Sequence, residues 1–248
     1  MDKVEADDVL GKPFDLANED LVRIVISPRR LVVVIAHILC DLTALRLLTD
    51  DVSAFYRSTM QEPVQCDIYP YAMTSNWFRE PCPNDLAFWS RYLAGIARRN
   101  DLTSHVDFTG SSSVFWVPKQ LLHNLEKFAS KYESTLYQSL LVASSLTVQS
   151  HQQTQDIVLG IPDMNRINES ECNTVGLFLQ PLPFRLNLSN ATSTSVDFAT
   201  EQAKSSLRSI REHALPWHRL LSHLGIEYQQ HGNAVSYTHL TLPTIYSV

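Results

Sequence analysis

The spacing of apolar positions along the chain changes at residue 37. Residues 31–36 form a continuous aliphatic run rich in β-branched side chains, LVVVIA, which predicts a strand buried on both faces. From Ala44 to Tyr56 the apolar residues instead recur at helical spacing. The pattern predicts a strand, a short loop and a helix, with His37 at the end of the strand and Asp41 in the loop.

The rest of the chain predicts alternating helices and strands. A strand over 21–26 precedes the first run, with a turn at 27–30 between them. Helices are predicted over 86–96, 118–128, 136–148, 197–213 and 216–224, and extended segments over 114–117, 156–160 and 176–188. Strands that alternate with helices in this way indicate the α/β class.

A polar link over 103–113, which contains Gly and Ser, is the predicted boundary between two lobes. Residues 1–108 are assigned to the first lobe and residues 109–234 to the second. The last segment, 235–248, looks like a translated sequencing-library adapter, and no charged residue follows Glu227. Its Thr, Tyr, Ile and Val content leaves a β-rich tail as the alternative. We exclude this segment from the fold prediction.

Composition argues against several classes of function. A net charge of −6 argues against a nucleic-acid or anionic-membrane surface. No apolar run has the length of a membrane span, and the N-terminus does not have the pattern of a secretory signal. The cytoplasm is therefore the predicted location. The 4 cysteines are widely spaced without a C-x-x-C pair, which argues against a disulfide framework and against a zinc site. We predict no bound metal.

His37 and Asp41 are the first candidates for chemistry. An imidazole at the end of a rigid strand is suited to act as a base, because it titrates near neutral pH. The spacing His-x-x-x-Asp also arises by chance in a chain of this composition, so a structural histidine stays open. His213, His218 and His223 fall five residues apart, which scatters them around a helix and predicts packed or solvated side chains. Phosphate-binding and nucleophile-elbow motifs are absent from the sequence.

Four blocks resemble, in the right order, the condensation domains of nonribosomal peptide synthetases. The first, AHILCDL at 36–42, resembles the motif His-His-x-x-x-Asp-Gly of that family. The others are NDLAFWSRYLAG at 84–95, DIVLGIPDMNR at 156–166 and VGLFLQPLPFR at 175–185. The chain is identified as a member of this family over about residues 14–230, as a fragment of fungal type.

The resemblance implies the two-lobed chloramphenicol-acetyltransferase-like fold, truncated at the N-terminal side of lobe one and the C-terminal side of lobe two. It also implies peptide-bond formation: a carrier-bound aminoacyl amine attacks a carrier-bound acyl or peptidyl thioester. His37 takes the position of the catalytic histidine. Asp41 and Arg166 take the positions of a structural ion pair, against which Arg166 as a solvated loop residue is the alternative.

The same resemblance predicts cofactors and partners. No cofactor is bound by the chain itself, since phosphopantetheine arrives on the partner carrier proteins. Peptidyl or acyl carrier domains and a neighbouring adenylation domain are the predicted partners, with no nucleic acid and no membrane.

Three positions depart from the family pattern and are predicted to line the tunnel between the lobes. Ala36 replaces the first motif His, Leu42 the motif Gly and Gln180 the usual Asn. Leu42 matters most, because Gly lets the backbone take unusual dihedrals close to the reacting atoms. Two alternatives therefore stay open, and with them whether the chain is an active enzyme. One is a stand-alone CoA-dependent acyltransferase, although the Asp-Phe-Gly-Trp-Gly block usual in that class is absent. The other is a degenerate, non-catalytic carrier-binding fragment.

Overall fold

The computed structural model describes residues 12–28, 30–57, 80–96, 116–189 and 196–225. The strands are β1 (Val22–Ser27), β2 (Arg30–Ile35), β3 (Asp156–Asp163) and β4 (Gln180–Asn187). The helices are α1 (Leu42–Arg57), α2 (Pro83–Tyr92), α3 (Lys119–Lys131), α4 (Leu136–Gln152), α5 (Glu169–Cys172), α6 (Val196–Glu212) and α7 (Trp217–His223). A single 3-10 turn, His37–Leu39, lies between β2 and α1.

The predicted succession of strand, loop and helix at the start of the chain is confirmed. β2 ends at Ile35, the 3-10 turn follows, and α1 begins at Leu42. Elsewhere the boundaries differ. Trp116 and Val117, at the end of the predicted strand 114–117, have no regular secondary structure. The short helix α5 was not predicted, because four residues carry too little periodicity to be recognised.

The chain divides into two units, each with contacts of its own. The first unit contains residues 1–78 and 164–180, and the second contains residues 79–163 and 181–248. Helix α2 lies in the second unit, and the prediction that residues 1–108 and 109–234 form two lobes stays a prediction. The predicted boundary after residue 108 and the predicted adapter-derived tail at 235–248 lie outside the described residues and stay predictions.

In the first unit, β1 and β2 form an antiparallel hairpin with a wholly aliphatic face. Since side chains alternate along a strand, three cross-strand pairs lie on one side, namely Val22 with Ile35, Ile24 with Val33 and Ile26 with Leu31. Ile24 is 60% exposed and Ile26 79%. The prediction that the strand 31–36 is buried on both faces is therefore wrong for this face, which the described residues leave exposed.

The second unit has its apolar core between the β3–β4 sheet and its helices. Helix α4 packs against α3, α6 and β3. Trp89 of α2 is fully buried, and its indole Nε1 donates a hydrogen bond of 2.7 Å to the carbonyl of His213. The core residues are Trp89, Leu141, Val142, Ile157, Ile161, Leu182, Phe184, Leu186, Leu188, Ala199, Ala203, Leu207, Ile210, Leu215 and Leu220.

Three of the four sequence blocks meet at Arg185 of β4. Its guanidinium donates to both carboxylate oxygens of Asp156 in β3, from Nε at 2.8 Å and from Nη2 at 2.6 Å. Its Nη1 donates to the carbonyl of Tyr92 at 2.7 Å, and its backbone N–H donates to the Tyr92 hydroxyl at 2.7 Å. The hydrogen bond with Asp156 raises the pKa of Arg185, and burial raises the pKa of the Tyr92 hydroxyl. The matching residues of these blocks thus hold α2 to the sheet.

The buried amide of Gln149 joins α4 to the same sheet, and we expect its removal to destabilise the second unit. Its Nε2 donates to the carbonyls of Gln155 at 3.0 Å and of Leu186 at 2.9 Å. Because Leu186 is fully buried, water does not replace the lost donor. Gln149→Ala should lower the free energy of unfolding by about 1–3 kcal/mol, measured by urea denaturation. Gln152→Ala, an exposed change on the same helix, is the control, and equal effects of the two changes would contradict the prediction.

Candidate functional site

Asp41 is the N-cap of helix α1 and the buried centre of the site. Its Oδ1 accepts the backbone N–H of Ala44 at 2.9 Å, the ordinary capping bond of a helix start. Its Oδ2 accepts the backbone N–H of Phe178 at 3.0 Å. Only 2% of Asp41 is exposed. A carboxylate so far from water needs hydrogen bonds and a cation.

The cation is Arg166, which lies 125 residues along the chain. Its Nη2 lies 2.9 Å from Oδ1 and 3.0 Å from Oδ2 of Asp41, and its Nε donates to Oδ2 at 3.3 Å. The two side chains are 3% and 0% exposed. The structure therefore brings these two predicted site residues together, and Arg166 is not a solvated loop residue.

The remaining donors of Arg166 bind the loop that follows it. Nη1 donates to the carbonyls of Glu171 and of Thr174, the latter at 2.8 Å, and Nη2 donates to the carbonyl of Gly176 at 3.0 Å. All five N–H groups of the guanidinium are thereby used. The guanidinium carbon also lies 4.2 Å from the centre of the Phe178 ring. Arg166 thus ties the loop 171–178 to the start of α1.

The turn that presents Arg166 has a recognisable local cause. Asn165 has a φ of 49°, in the left-handed region that Asn tolerates better than most residues. Two residues after Arg166, Asn168 and Glu171 form a reciprocal capping box at the start of α5. The chain therefore turns sharply at Asn165 and is held again at Asn168.

His37 opens the 3-10 turn at the end of β2, with an exposed side chain. Its Nδ1 lies 3.0 Å from the carbonyl oxygen of Cys40. A carbonyl oxygen only accepts, so Nδ1 carries the hydrogen in this contact. In the neutral ring Nε2 is then the nitrogen that accepts a proton. Since Cys40 precedes Asp41, the buried ion pair and the orientation of His37 belong to one short loop.

Two of the three departures from the family pattern, Ala36 and Leu42, flank this loop in sequence. The third, Gln180, belongs to the same unit. Ala36 is 6% exposed, and its N–H donates to the carbonyl of Leu21 at 2.9 Å. Leu42 is the first residue of α1 and 47% exposed, and it has no positive φ. Leucine therefore introduces no backbone strain there. Gln180 is buried at the start of β4. That these three side chains line a tunnel stays a prediction.

Sequence reasoning did not identify most partners of the ion pair. The carbonyls of Glu171, Thr174 and Gly176 and the N–H of Phe178 are backbone groups, which every residue carries, so no side-chain pattern marks them. The capping box could have been predicted, because Asn168-x-x-Glu171 has the spacing of that motif. The burial of Glu171 could not have been predicted from the sequence.

The histidines near the C-terminus do not converge on a metal. The Nδ1 of His213 donates a hydrogen bond of 2.9 Å to the Asp85 carboxylate, and its ring stacks on the Phe88 ring with the two centres 4.3 Å apart. His223 lies 2.8 Å from the Ser90 hydroxyl. His213 is thus packed against its neighbours and His223 is exposed, in agreement with the predicted packed or solvated side chains. Over the described ranges, no group of three or more His, Cys, Asp or Glu side chains has an arrangement that could hold a metal ion. No helix within those ranges is long and apolar enough to cross a membrane.

Comparison with known sequences gives one consistent family. The profile described as Condensation domain matches residues 3–242. The chain is 37% identical over 227 residues to the nonribosomal peptide synthetase ataP of Aspergillus terreus, which covers 90% of this chain and 15% of that protein. It is 32% identical over 227 residues to the nonribosomal peptide synthetase pboA of Aspergillus ustus, with 91% and 11% covered. The chain thus spans less than a sixth of these two relatives, and their fungal origin agrees with the predicted type.

Comparison with solved structures shows the same fold in three proteins, two of which are described as a condensation domain or a condensation enzyme. SgcC5 of Streptomyces globisporus matches with a TM-score of 0.71 at 20% identity, over 90% of this chain and 54% of that one. The condensation domain of the monacolin K polyketide synthase MokA matches at 0.66 and 18%, over 87% and 54%. VibH, described as an NRPS condensation enzyme, matches at 0.60 and 22%, over 80% and 48%. The predicted α/β condensation-domain fold is confirmed, and the chain spans about half the length of these structures.

Proposed function

We propose, from the premise that this chain belongs to the condensation domain family, that it forms amide bonds in nonribosomal peptide biosynthesis. The amine of a carrier-bound aminoacyl group attacks the thioester carbonyl of a carrier-bound acyl or peptidyl group. The observation that carries the proposal is the loop 37–41. There the contact of His37 Nδ1 with the Cys40 carbonyl leaves Nε2 of His37 as the proton acceptor. Asp41, which follows Cys40, is buried and paired with Arg166.

His37 is the proposed catalytic residue. As the C–N bond forms, Nε2 accepts the proton that the attacking amine loses. The C–S bond then breaks, and the same proton passes to the departing thiolate of the donor carrier. An imidazole can serve in both steps, because the ring nitrogen that accepts the proton can also donate it. The thioester is already activated, so the larger part of the rate enhancement comes from holding two tethered reactants together.

Asp41 and Arg166 are proposed to support the site without contacting substrate. Their pairing holds the loop that carries His37, and both side chains are almost fully buried. Ala36, Leu42 and Gln180 are proposed to line the substrate tunnel. Leu42 adds an apolar side chain where the family pattern has Gly. Its main proposed effect is to limit the size of the substrate that the tunnel accepts.

The proposed partners follow from the same chemistry. Phosphopantetheine arms on peptidyl or acyl carrier proteins deliver both substrates, and an adenylation domain loads the acceptor carrier. We propose that the chain itself binds no cofactor and no metal. The proposed location is the cytoplasm. The sequence relatives described above support the proposed carrier and adenylation partners, because both are named as nonribosomal peptide synthetases.

The test is amide formation by the synthetase that contains this chain. Donor and acceptor carriers are loaded separately and mixed with the protein, and mass spectrometry follows the acceptor carrier for the amide-linked product. Product from loaded carriers supports the proposal. Acylation of a free amine by acyl-CoA instead supports a CoA-dependent acyltransferase. If neither reaction occurs although the carriers bind, the chain is a non-catalytic carrier-binding domain and the proposal fails.

A further inference from the structure

We propose that Glu171 is a positioning residue of this site, which acts by shaping the turn that presents Arg166 to Asp41. The inference rests on the proposed function, because its effect is measured on amide formation. Glu171 lies outside the loop 37–41, and its carboxylate accepts from the backbone directly after Arg166.

The carboxylate of Glu171 holds the backbone directly after Arg166. Its Oε2 accepts the N–H of Ile167 and, at 3.2 Å, the N–H of Asn168. In return the Asn168 side-chain oxygen accepts the N–H of Glu171 at 2.9 Å. Glu171 is only 2% exposed, so water cannot readily replace these bonds. The carboxylate therefore determines the path of the chain from Arg166 to the first turn of α5.

The same residue also receives the guanidinium. The Glu171 carbonyl accepts from Nη1 of Arg166, next to the Thr174 carbonyl, which accepts from the same nitrogen at 2.8 Å. Thr174 is held in turn, since its hydroxyl donates to the Ser170 carbonyl at 2.6 Å and the residue is 1% exposed. If the turn relaxes, Arg166 loses its acceptors on the loop and its fixed approach to Asp41 together.

From Arg166 the effect reaches the proposed catalytic residue through covalent neighbours. Asp41 accepts from Arg166 and follows Cys40, whose carbonyl orients the His37 ring. A small displacement of Asp41 therefore moves Nε2 of His37 relative to the bound amine. Misplacement of a reacting group by about 1 Å can reduce a rate by about 100-fold.

The first part of the test compares three variants in the full-length protein. Glu171→Ala removes the acceptor of two N–H groups, and we expect kcat for amide formation to fall by about 10- to 100-fold with little change in KM for the loaded carriers. Glu171→Gln should restore kcat to near the wild-type value, because one oxygen accepts both bonds and an amide oxygen can do the same. Glu169→Ala, an exposed change on the same short helix, should leave kcat unchanged.

The second part separates positioning from general destabilisation. In an Asp41→Asn background, Glu171→Ala should add little further loss of kcat if it acts through the Arg166–Asp41 pair. A loss that simply multiplies with that of Asp41→Asn would overturn the proposal. Should Glu171→Ala not fold, Asn168→Ala removes the other half of the capping box at an exposed residue. It should then lower kcat in the same non-additive way.

Amide hydrogen exchange keeps the two proposals distinguishable. The N–H of Phe178 donates to Asp41, and its exchange should accelerate in Glu171→Ala but not in Glu169→Ala. Suppose that the wild-type protein makes no amide but the exchange is faster in Glu171→Ala. This result would support the role of Glu171 in the turn and reject the proposed function. Unchanged exchange together with unchanged kcat in an active protein would reject the role of Glu171 alone.

Discussion

Replacement of His37 by alanine is expected to lower the rate of amide formation from loaded carriers by about 10²- to 10⁴-fold. The change removes the nitrogen that accepts the amine proton and returns it to the departing thiolate. His37 is exposed, and its described hydrogen bond is confined to its own turn. The free energy of unfolding should therefore change little. Rapid-quench sampling of the acceptor carrier, with mass-spectrometric detection of the product, measures the rate directly.

His123→Ala is the matched control for this experiment, since His123 lies exposed on α3 in the second unit. It should retain the wild-type rate. Because the thioester is activated, positioning alone leaves some residual rate in His37→Ala. A His37→Ala variant with the full wild-type rate would show that the histidine is structural, which is the alternative that its spacing from Asp41 leaves open.

Replacement of Arg166 by alanine is expected to destabilise the protein by about 3–5 kcal/mol. The change leaves the Asp41 carboxylate buried without its cation, and it removes the donors to the carbonyls of Thr174 and Gly176. Arg166→Lys should recover only part of this loss, because an ammonium group has three donors where the guanidinium has five. Urea denaturation followed by circular dichroism measures the free energy of unfolding.

An exposed ion pair of the same chain provides the control. Arg211 lies 3.2 Å from Asp163, but its side chain is 57% exposed, so Arg211→Ala should cost about 0–1 kcal/mol. If Arg166→Ala were as mild as Arg211→Ala, the buried pair would not be what holds the loop 171–178. The proposed role of Glu171 would then lose its basis as well.

The local elements were predictable because their signals are local. Residues 31–36 are aliphatic without interruption and α1 has helical spacing, so the junction that contains His37 followed from periodicity alone. The short helix α5 and the precise extent of β4 did not follow, since capping and tertiary contacts decide both. The exposed face of the hairpin was mispredicted for a related reason: an aliphatic run favours burial but does not specify what covers it.

The site itself was only half predictable. The sequence by itself determined the chemistry available at each position: an imidazole at the end of a strand, a carboxylate one loop later and a guanidinium after a strand. Its resemblance to a family suggested which of them pair. Tertiary structure decided the geometry, because Asp41 and Arg166 are 125 residues apart and Arg166 and Phe178 meet Asp41 largely through hydrogen bonds. Arg166 also donates to three backbone carbonyls, and Phe178 donates from its backbone N–H. Such groups are the same in every residue, so only folding selects which carbonyl and which N–H take part.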